Sequence, residues 1–536
     1  MNIIAINHVH NANITMLYEG KYYNFQLERY LNIKNADMIL NSNGKVFLDN
    51  FKINLLSYIK EINKIWEIPN DFDICIHEPI ISNNSKKIIN IIKDVINAKQ
   101  YISQNHHHSH AANVFYQSPY DKALIFSYDG QGNDGIYNIY IGNKDLKQVT
   151  LIKKINECSS LGLLYKEIGY SLKDIYKKKA LNFYPITLTI AGKLMGLAGY
   201  GNVRGEWLEG FNKFYHSGSI EFIRKITGYN LYNQSSFWQQ HNSKNNDNIW
   251  QLEGQDAYDL AATNQYVFEE TFLKYAKPYI EKYSDLPICL AGGCSLNVLL
   301  NERLRKMYGN KIFIAPNTND SGIALGQLLL THPPDNSINI TYTGLPILDI
   351  DNLSDYIKEY NAKKVGYKEL SKLLKDGKII GVCQGNSEVG PRALGNRSII
   401  CDPSYKNMKD KLNKIKHREW YRPFAPVVRL DDVNKYFEFD YESEFMSFAP
   451  LVREEYREQL SSITHVDNTA RVQTVTKKQH KFFYDLLTEF DGVLLNTSFN
   501  IRGNPILTRI KDALYALDNT TLDYVYIEGY LFESNN

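Results

Sequence analysis

No run in the 536-residue chain approaches the roughly 18 consecutive apolar residues that a membrane helix requires, so no membrane-spanning segment is expected. The opening MNIIAINHVHNANIT lacks a basic start followed by a long apolar stretch, which argues against a secretory signal. The six cysteines, at 75, 158, 289, 294, 383 and 401, form no CxxC pair. Neither a structural zinc site nor a disulfide framework is therefore suggested, and a reducing cytoplasm is the simplest location. No GxxxxGK(S/T) occurs, which excludes P-loop phosphate chemistry. An excess of either charge is also missing, since 61 Lys and Arg face 59 Asp and Glu for a net +2. Bulk charge alone does not hold such a chain on nucleic acid, although a local basic patch stays open. No internal repeat is visible.

Hydrophobic residues at 43% and charged residues at 22% are those of a chain that buries a core rather than remaining disordered. The abundance of Tyr, Asn, Lys and Ile is what an AT-rich genome writes into its proteins. Short apolar runs at 2–6, 123–128, 288–291, 379–383 and 493–495 read as buried strands. Segments at 257–275, 298–307, 321–330 and 353–360 carry helical patterns. Strands alternating with helices predict an α/β architecture. The polar stretch PPDNSINI at 333–340 predicts a boundary, giving one domain over 1–340 and another over 341–536.

Several segments carry chemistry. NHHHSHA at 105–111 places His106 and His110 four residues apart, on one face of a helix and close enough to share a metal. A zinc protease would need Glu after the first His, where His107 stands, so that chemistry is disfavoured; a solvated His-rich turn is the plainer alternative. In YDGQGNDG, Gly130, Gly132 and Gly135 match GxGxxG, but the following IYNIYIG alternates like a strand rather than a helix. Strand–turn–strand with Asp129 at the turn suits phosphate and metal binding, or is an ordinary hairpin. LAGGCSLNVLLN predicts a strand, Gly292-Gly293 and a helix whose N-terminus can meet an anion, with Asn297 and Asn301 on one helix face. Asp320 opens another helix, where it serves either as a ligand or as an N-cap. In the second half, Glu388, Arg392 and Arg397 lie among glycines. Lys414, Lys416, Arg418 and Arg422 are interleaved with Trp420, Phe424 and prolines, a composition that favours a walled anion pocket over a solvated charged face. HVDNTARVQTV adds Arg471.

Together these segments resemble the bacterial O-carbamoyltransferases of the nodulation (NodU), cephamycin and tobramycin type. The resemblance rests on HHHSHAA, YDGQGNDG, AGKLMGLAGYG, AGGCSLNVLLNERL, PNTNDSGIALG, GVCQGNSEVGPRALGNRSIICDP, KHREWYRPFAP, HVDNTARVQTV and LNTSFNIRGNPI, in family order from about 106 to 506. It implies an N-terminal domain of the actin/Hsp70-like fold joined to a YrdC-like α/β domain. The second would form carbamoyl-adenylate from ATP, with Mg2+, and carbamoyl phosphate. The first would move the carbamoyl group to a substrate hydroxyl and release AMP. By the same resemblance, His106, His110, Asp129 and Asp320 would hold a divalent metal: iron in the best-known relative, with zinc or manganese as alternatives. Gly130, Lys193, Gly292, Gly293 and Asn297 would line the nucleotide, and His10 would stand near the acceptor as general base. Arg392, Arg397, Lys416, Arg418 and Arg422, with Asn496, Thr497 and Ser498, would bind carbamoyl phosphate and ATP.

Two departures concern the acceptor: Asn11 replaces the family's Asp beside His10, and residues 28–33 keep Glu-Arg but lose much of a basic run. The aromatic stretch 211–240, with Tyr215, Phe222, Arg224, Lys225, Tyr229, Tyr232 and Phe237, either stacks on a base or is a surface elaboration. The composition and this stretch point toward a hydroxymethylpyrimidine of DNA, such as hydroxymethylcytosine, as acceptor. A sugar or antibiotic hydroxyl, a tRNA threonylcarbamoyl-type reaction and a non-catalytic nucleotide scaffold are the alternatives. A homodimer stays open.

Overall fold

The computed structural model describes residues 1–39, 48–79, 85–175, 189–227, 252–501 and 503–534. It divides into two compact units. The first comprises Met1–Tyr23, Asn35–Asn297 and Lys311–Asn339; the second comprises Asn24–Lys34, Val298–Asn310 and Ile340–Asn536. The second unit thus draws in two short segments from earlier in the chain. Patterning along a sequence cannot reveal such a return, because it depends on long-range packing.

Two five-stranded sheets organise the first part of the chain. One contains β1 (Ile3–Asn7), β2 (Asn13–Tyr18), β3 (Lys21–Gln26), β4 (Phe72–His77) and β5 (Ala98–Ser103), in the order β3-β2-β1-β4-β5. The other contains β6 (Lys122–Gly132), β7 (Gly135–Asn143), β8 (Gln148–Lys154), β9 (Ile288–Ala291) and β10 (Ile312–Phe313), in the order β8-β7-β6-β9-β10. The two orders are the same when each sheet is numbered from its own first strand. In both, the first strand pairs antiparallel with the second and parallel with the fourth. Every residue of β1 (IIAIN) and of β9 (ICLA) is buried. Such unbroken burial is expected of central strands covered on both faces.

The helix His106–Gln117 is buried along nearly its whole length. It packs on the helix Ile323–Thr331. Gly326 makes that approach possible, since a Cβ there would lie 1.9 Å from the Ser109 carbonyl oxygen.

The second unit carries an eight-stranded mixed sheet of β11 (Lys363–Lys364), β12 (Ile380–Cys383), β13 (Arg397–Cys401), β14 (Ala425–Arg429), β15 (Gln473–Val475), β16 (Leu494–Ser498), β17 (Tyr524–Ile527) and β18 (Tyr530–Glu533). Its order is β11-β18-β17-β12-β13-β16-β14-β15. Helices Tyr367–Lys375 and Lys481–Phe490 cover it through Leu370, Leu374, Phe483, Leu486 and Leu487, packed on Ile380, Val382, Ile400 and Val427. His480 starts the second of these helices by accepting the Phe483 N–H at 3.1 Å. The chain is therefore mixed α/β throughout its described residues. All six cysteines are buried free thiols. Among the described residues no helix is long and apolar enough to cross a membrane.

Candidate metal centre and a separate cationic cluster

Four side chains from three distant segments converge in the first unit. One ligand atom from each of His106, His110, Asp129 and Asp320 lies within 4.8 Å of all the others. The histidines come from one helix face, Asp129 from the irregular end of β6, and Asp320 from a single 3-10 turn over Asp320–Gly322.

The helix start is held by the turn between β6 and β7. Asn133 Oδ1 accepts the His106 N–H at 2.9 Å, and the Asp134 carboxylate accepts those of His107 and His108 at 2.9 and 3.2 Å. Side chains of the glycine-rich turn thus satisfy the free donors of the helix. Gly130 and Gly132 lie on β6 and Gly135 on β7, with Gly132 paired to Gly135, so GxGxxG here is strand–turn–strand. A side chain at 132 would press on the imidazoles, its Cβ 2.8 Å from both His106 and His107 ring carbons.

Of the three consecutive histidines, only the first joins the cluster. His107 is held by Ser127 Oγ at 2.9 Å and the Gly135 carbonyl at 3.0 Å, and His108 by the Val149 carbonyl at 2.7 Å. His110 Nε2 is 3.1 Å from Asp129 Oδ2 and 3.4 Å from Asp320 Oδ1. His106 Nε2 is 4.0 and 3.9 Å from the same two oxygens. Despite this proximity, neither Nε2 has an aligned hydrogen-bond partner, though both are buried. Orphaned imidazole nitrogens aimed with two carboxylates at one point form a donor set suited to a divalent transition metal.

The supports are equally specific. Asp129 accepts the Gly130 N–H at 2.5 Å and the Gly293 N–H at 2.8 Å. The Asp320 carbonyl accepts from Asn7 Nδ2 at 3.1 Å and Asn13 Nδ2 at 3.0 Å. Its second carboxylate oxygen meets His10 Nε2 at 2.7 Å. Asp320 is thus no N-cap. Burial opposes charge on His106, but Glu78, Asp320 and Asp129 outweigh it and push its pKa up to about 10. Burial likewise opposes charge on His110 and His10, and the neighbouring carboxylates raise both. Burial and mutual repulsion favour protons on Asp129, but the histidines hold it below its ordinary value. Asp320 is held well below its ordinary value by His10, His110 and His106 against the cost of burial. The cluster therefore balances two carboxylates either with imidazolium protons or with one dication.

Other expected nucleotide residues fare differently. Gly292 and Gly293 stand at the end of β9, Gly292 with φ +91° and its hypothetical Cβ 2.2 Å from the Tyr128 carbonyl oxygen. Asn297 precedes the helix Val298–Tyr308 in an extended conformation, so it does not share a helix face with Asn301. Its side-chain amide pairs reciprocally with Gln265 at 2.9 and 3.0 Å. Lys193 lies half-buried on the helix Ile190–Ala198, which packs on the helix Gly254–Lys282. Of the aromatic stretch, Phe211, Phe214 and Tyr215 are fully buried, and the Tyr215 hydroxyl donates to Asn264 Oδ1 at 2.8 Å. Tyr215 is therefore unavailable for stacking on a base, whereas Tyr229, Tyr232 and Phe237 lie outside the described residues.

In the second unit the arginines separate. Burial, with Arg422 and the other neighbouring cations adding to it, takes Arg392 down to about 10 and Arg418 and Arg471 well below their ordinary value. Arg418 packs over the Phe424 ring at 4.7 Å and donates to the Pro423 carbonyl at 3.1 Å. The Nε groups of Arg418 and Arg471 are buried without a hydrogen-bond partner. Crowded cations with unspent donors are stabilised by an anion. Lys416 adjoins Arg418 and Arg422, and burial and these cations together press its pKa well down. Its ammonium donates to the Ser498 carbonyl and to Asn500 Oδ1, the latter at 2.7 Å, fastening the end of β16. Ser498 Oγ also donates to Asn500 Oδ1, at 2.7 Å, and Thr497 is 8% exposed. Asn496 is wholly buried, its amide donating to the Ala393 carbonyl and Gln473 Oε1.

Arg397, expected among the substrate-binding arginines, lies in the interior. It is fully buried, and its guanidinium donates to the carbonyls of Gln384, Asn396 and Gly385. These bonds use its two Nη groups, while its buried Nε has no hydrogen-bond partner. Glu388, quoted in the sequence without a role, organises the loop bearing Arg392. Its Oε1 accepts the N–H groups of Leu394, Gly395, Asn396 and Arg397 at 2.7, 3.0, 2.9 and 3.1 Å. Four main-chain donors on one oxygen leave no sequence signal beyond an acidic residue among glycines.

With this geometry in hand, comparison with known proteins decides the family. The family model for the carbamoyltransferase N-terminus matches residues 3–329, and that for the carbamoyltransferase C-terminus matches residues 371–534. The chain belongs to the carbamoyltransferase family. It is accordingly an enzyme of the carbamoyl-transfer class. An uncharacterised Synechocystis protein is 32% identical over 480 residues, covering 80% of this chain and 75% of that protein. The nodulation protein NolNO of Sinorhizobium fredii is 32% identical over 466 residues, 80% of this chain and 63% of its own length. The 3'-hydroxymethylcephem-O-carbamoyltransferase of Amycolatopsis lactamdurans is 30% identical, with 77% of each chain covered.

Proposed function

We propose that this carbamoyltransferase is ATP-dependent and cytoplasmic, with the two halves of its reaction assigned to its two parts. Residues 341–536 make carbamoyl-adenylate from ATP and carbamoyl phosphate, and residues 1–340 pass the carbamoyl group to an acceptor hydroxyl with release of AMP. The observation that carries the reading is the convergence of His106, His110, Asp129 and Asp320 within 4.8 Å. Repetition of one strand order in two sheets supports an actin/Hsp70-like fold for the first part. The mixed sheet of the second part is read as YrdC-like on the family resemblance alone.

His106, His110, Asp129 and Asp320 would hold a divalent cation, which would supply Lewis-acid polarisation of a phosphate; iron, zinc and manganese all suit two imidazoles and two carboxylates. Asp320 turns one oxygen to the histidines and the other to His10. The His10 side chain is 30% exposed, unlike those of His106 and His110 at 5% and 0%. With His10 Nε2 given to Asp320, Nδ1 is the nitrogen that takes the acceptor's proton as its oxygen attacks the carbamoyl carbon. In the second part, the Arg392, Arg418, Arg422 and Arg471 cluster binds the phosphates of both donors, and Lys416 holds the strand end beside them.

For the acceptor we propose a hydroxymethyl group, with hydroxymethylcytosine in DNA as the first candidate; a sugar hydroxyl is the second reading. The hydroxymethyl named in the cephem relative supports that choice of group. Incubation with ATP, Mg2+, carbamoyl phosphate and hydroxymethylcytosine DNA, followed by nucleoside mass spectrometry, should show a gain of one carbamoyl group. If that gain is missing while sugars stimulate AMP release, the acceptor is a sugar. Arg392→Ala should lose adenylate formation, whereas His110→Ala should retain it and lose transfer. Equal loss of adenylate formation in both variants would refute the division of labour.

A further inference from the structure

We propose that Glu78, to which no motif assigns a role, is a positioning residue that sets the tautomer and ring orientation of His106 in the metal centre. The inference rests on the metal reading above. Glu78 follows directly after β4 and is 28 residues before His106. Its Oε1 lies 3.1 Å from His106 Nδ1, and the two side chains are only 11% and 5% exposed.

A helix fixes where an imidazole starts, but not which of its nitrogens carries the proton nor how the ring is turned. Both are decided here by neighbours. The Glu78 carboxylate accepts the Nδ1–H, so when a dication takes the place of the imidazolium proton it is Nε2 that gives up its hydrogen and offers a lone pair. Nε2 faces the Asp129 and Asp320 oxygens at 4.0 and 3.9 Å without a hydrogen bond to either. The other edge of the ring is walled by Gly132, where a Cβ would lie 2.8 Å from His106 Cδ2 and 2.9 Å from its Cβ. The ring is therefore clamped between a carboxylate and main chain. His107 provides the contrast, since both its ring nitrogens are already occupied.

The position of Glu78 in the sheet explains how it reaches this site. β4 lies parallel beside β1, with Ile6 paired to His77. At the end of β1, Asn7 holds the Asp320 main chain; just past the end of β4, Glu78 holds His106. Adjacent parallel strands thus deliver one support to a carboxylate ligand and one to an imidazole ligand. Glu78 itself stands outside the four-residue donor group. A carboxylate behind a ligating imidazole orients it and makes it a better donor, and its loss ordinarily lowers metal affinity about 10–100-fold.

The test uses the full chain stripped of metal and titrated calorimetrically with Co2+ and with Mn2+, comparing wild type, His110→Ala, Glu78→Gln and Glu78→Ala. Wild type should bind one ion and His110→Ala should lose it. Glu78→Ala should bind about 10–100-fold more weakly, with an altered Co2+ visible spectrum. Glu78→Gln should fall between, because its amide oxygen still accepts the Nδ1–H. No binding by wild type, or equal binding by His110→Ala, would overturn the metal reading itself. Binding by Glu78→Ala within twofold of wild type, with an unchanged Co2+ spectrum, would overturn only the assignment of Glu78. Should Glu78→Ala fail to fold, Glu78→Gln decides: wild-type affinity with a wild-type spectrum in that variant counts against the charged support.

Discussion

Glu388 offers the most demanding test of the second unit. The residue is fully buried, and one of its oxygens accepts four consecutive main-chain N–H groups, from Leu394 to Arg397. Glu388→Ala removes the acceptor and leaves four donors in the interior, with Gly395 at φ +132° in their midst. A hydrogen bond to an ionised group contributes about 1.5–3 kcal/mol, but four donors on one atom share it and their effects do not add. The expected loss is therefore about 3–5 kcal/mol, a large part of an ordinary domain's stability. Glu388→Gln keeps an oxygen in place without the charge and should lose about 1–2 kcal/mol. Because the chain has two units, a single global melting curve is not a clean measure. Amide hydrogen exchange is: the N–H groups of 394–397 should lose protection first in Glu388→Ala, and adenylate formation should fall with them because the same loop carries Arg392. Retained protection of those amides, with under about 1 kcal/mol lost overall, would show that the nest of donors is not what orders the loop.

The remaining predictions concern single positions. Arg397→Ala should destabilise the second unit, because three carbonyls lose their donor; a variant that melts like wild type yet makes no adenylate would return Arg397 to the chemistry. Gly292→Ala combines a left-handed backbone at φ +91° with a Cβ 2.2 Å from the Tyr128 oxygen. It should cost about 2–4 kcal/mol in thermal or urea unfolding, and a neutral result would contradict the close approach of β9 to β6. Glu444 is mostly buried, and desolvation, with the neighbouring Glu442, raises its pKa from 4.5 to about 7. The folded state then holds a proton that the unfolded state has released, so wild-type stability should decline as pH rises from about 5 to 7. Glu444→Gln mimics the protonated form and should match wild type near pH 5 but exceed it by about 1–3 kcal/mol at pH 8. Parallel pH slopes for the two proteins in urea unfolding would refute that account.

Local chemistry made much of the architecture legible in advance. The strand at 288–291 and the helix from Val298 emerge where their apolar patterns place them. The glycine-rich turn after Asp129 is strand–turn–strand, as the alternation of IYNIYIG requires. Residue type and helical spacing also singled out His106 and His110, and the family resemblance added Asp129 and Asp320; the structure brings all four together. What eluded the sequence were the choices between like residues. Three consecutive histidines share one chemistry, yet Ser127, Gly135 and Val149 claim two of them. Two arginines five apart are alike on paper, yet Arg392 joins the cationic cluster while Arg397, at the start of β13, is tied to main-chain carbonyls. Spacing alone puts Asn297 on a helix that it instead precedes, and Gln265 takes its amide.

The sequence by itself determined which atoms were available as ligands and donors, because that depends on residue type and on spacings within a single helix or strand. Only the tertiary structure decided which of them are spent and which are left to act. A polar group is spent by whichever partner reaches it first, and those partners lie far away in the chain: Glu78 is 28 residues from His106, Asn7 is 313 from Asp320, and Gly293 is 164 from Asp129. No local pattern encodes such separations; they follow from the order in which the strands are packed.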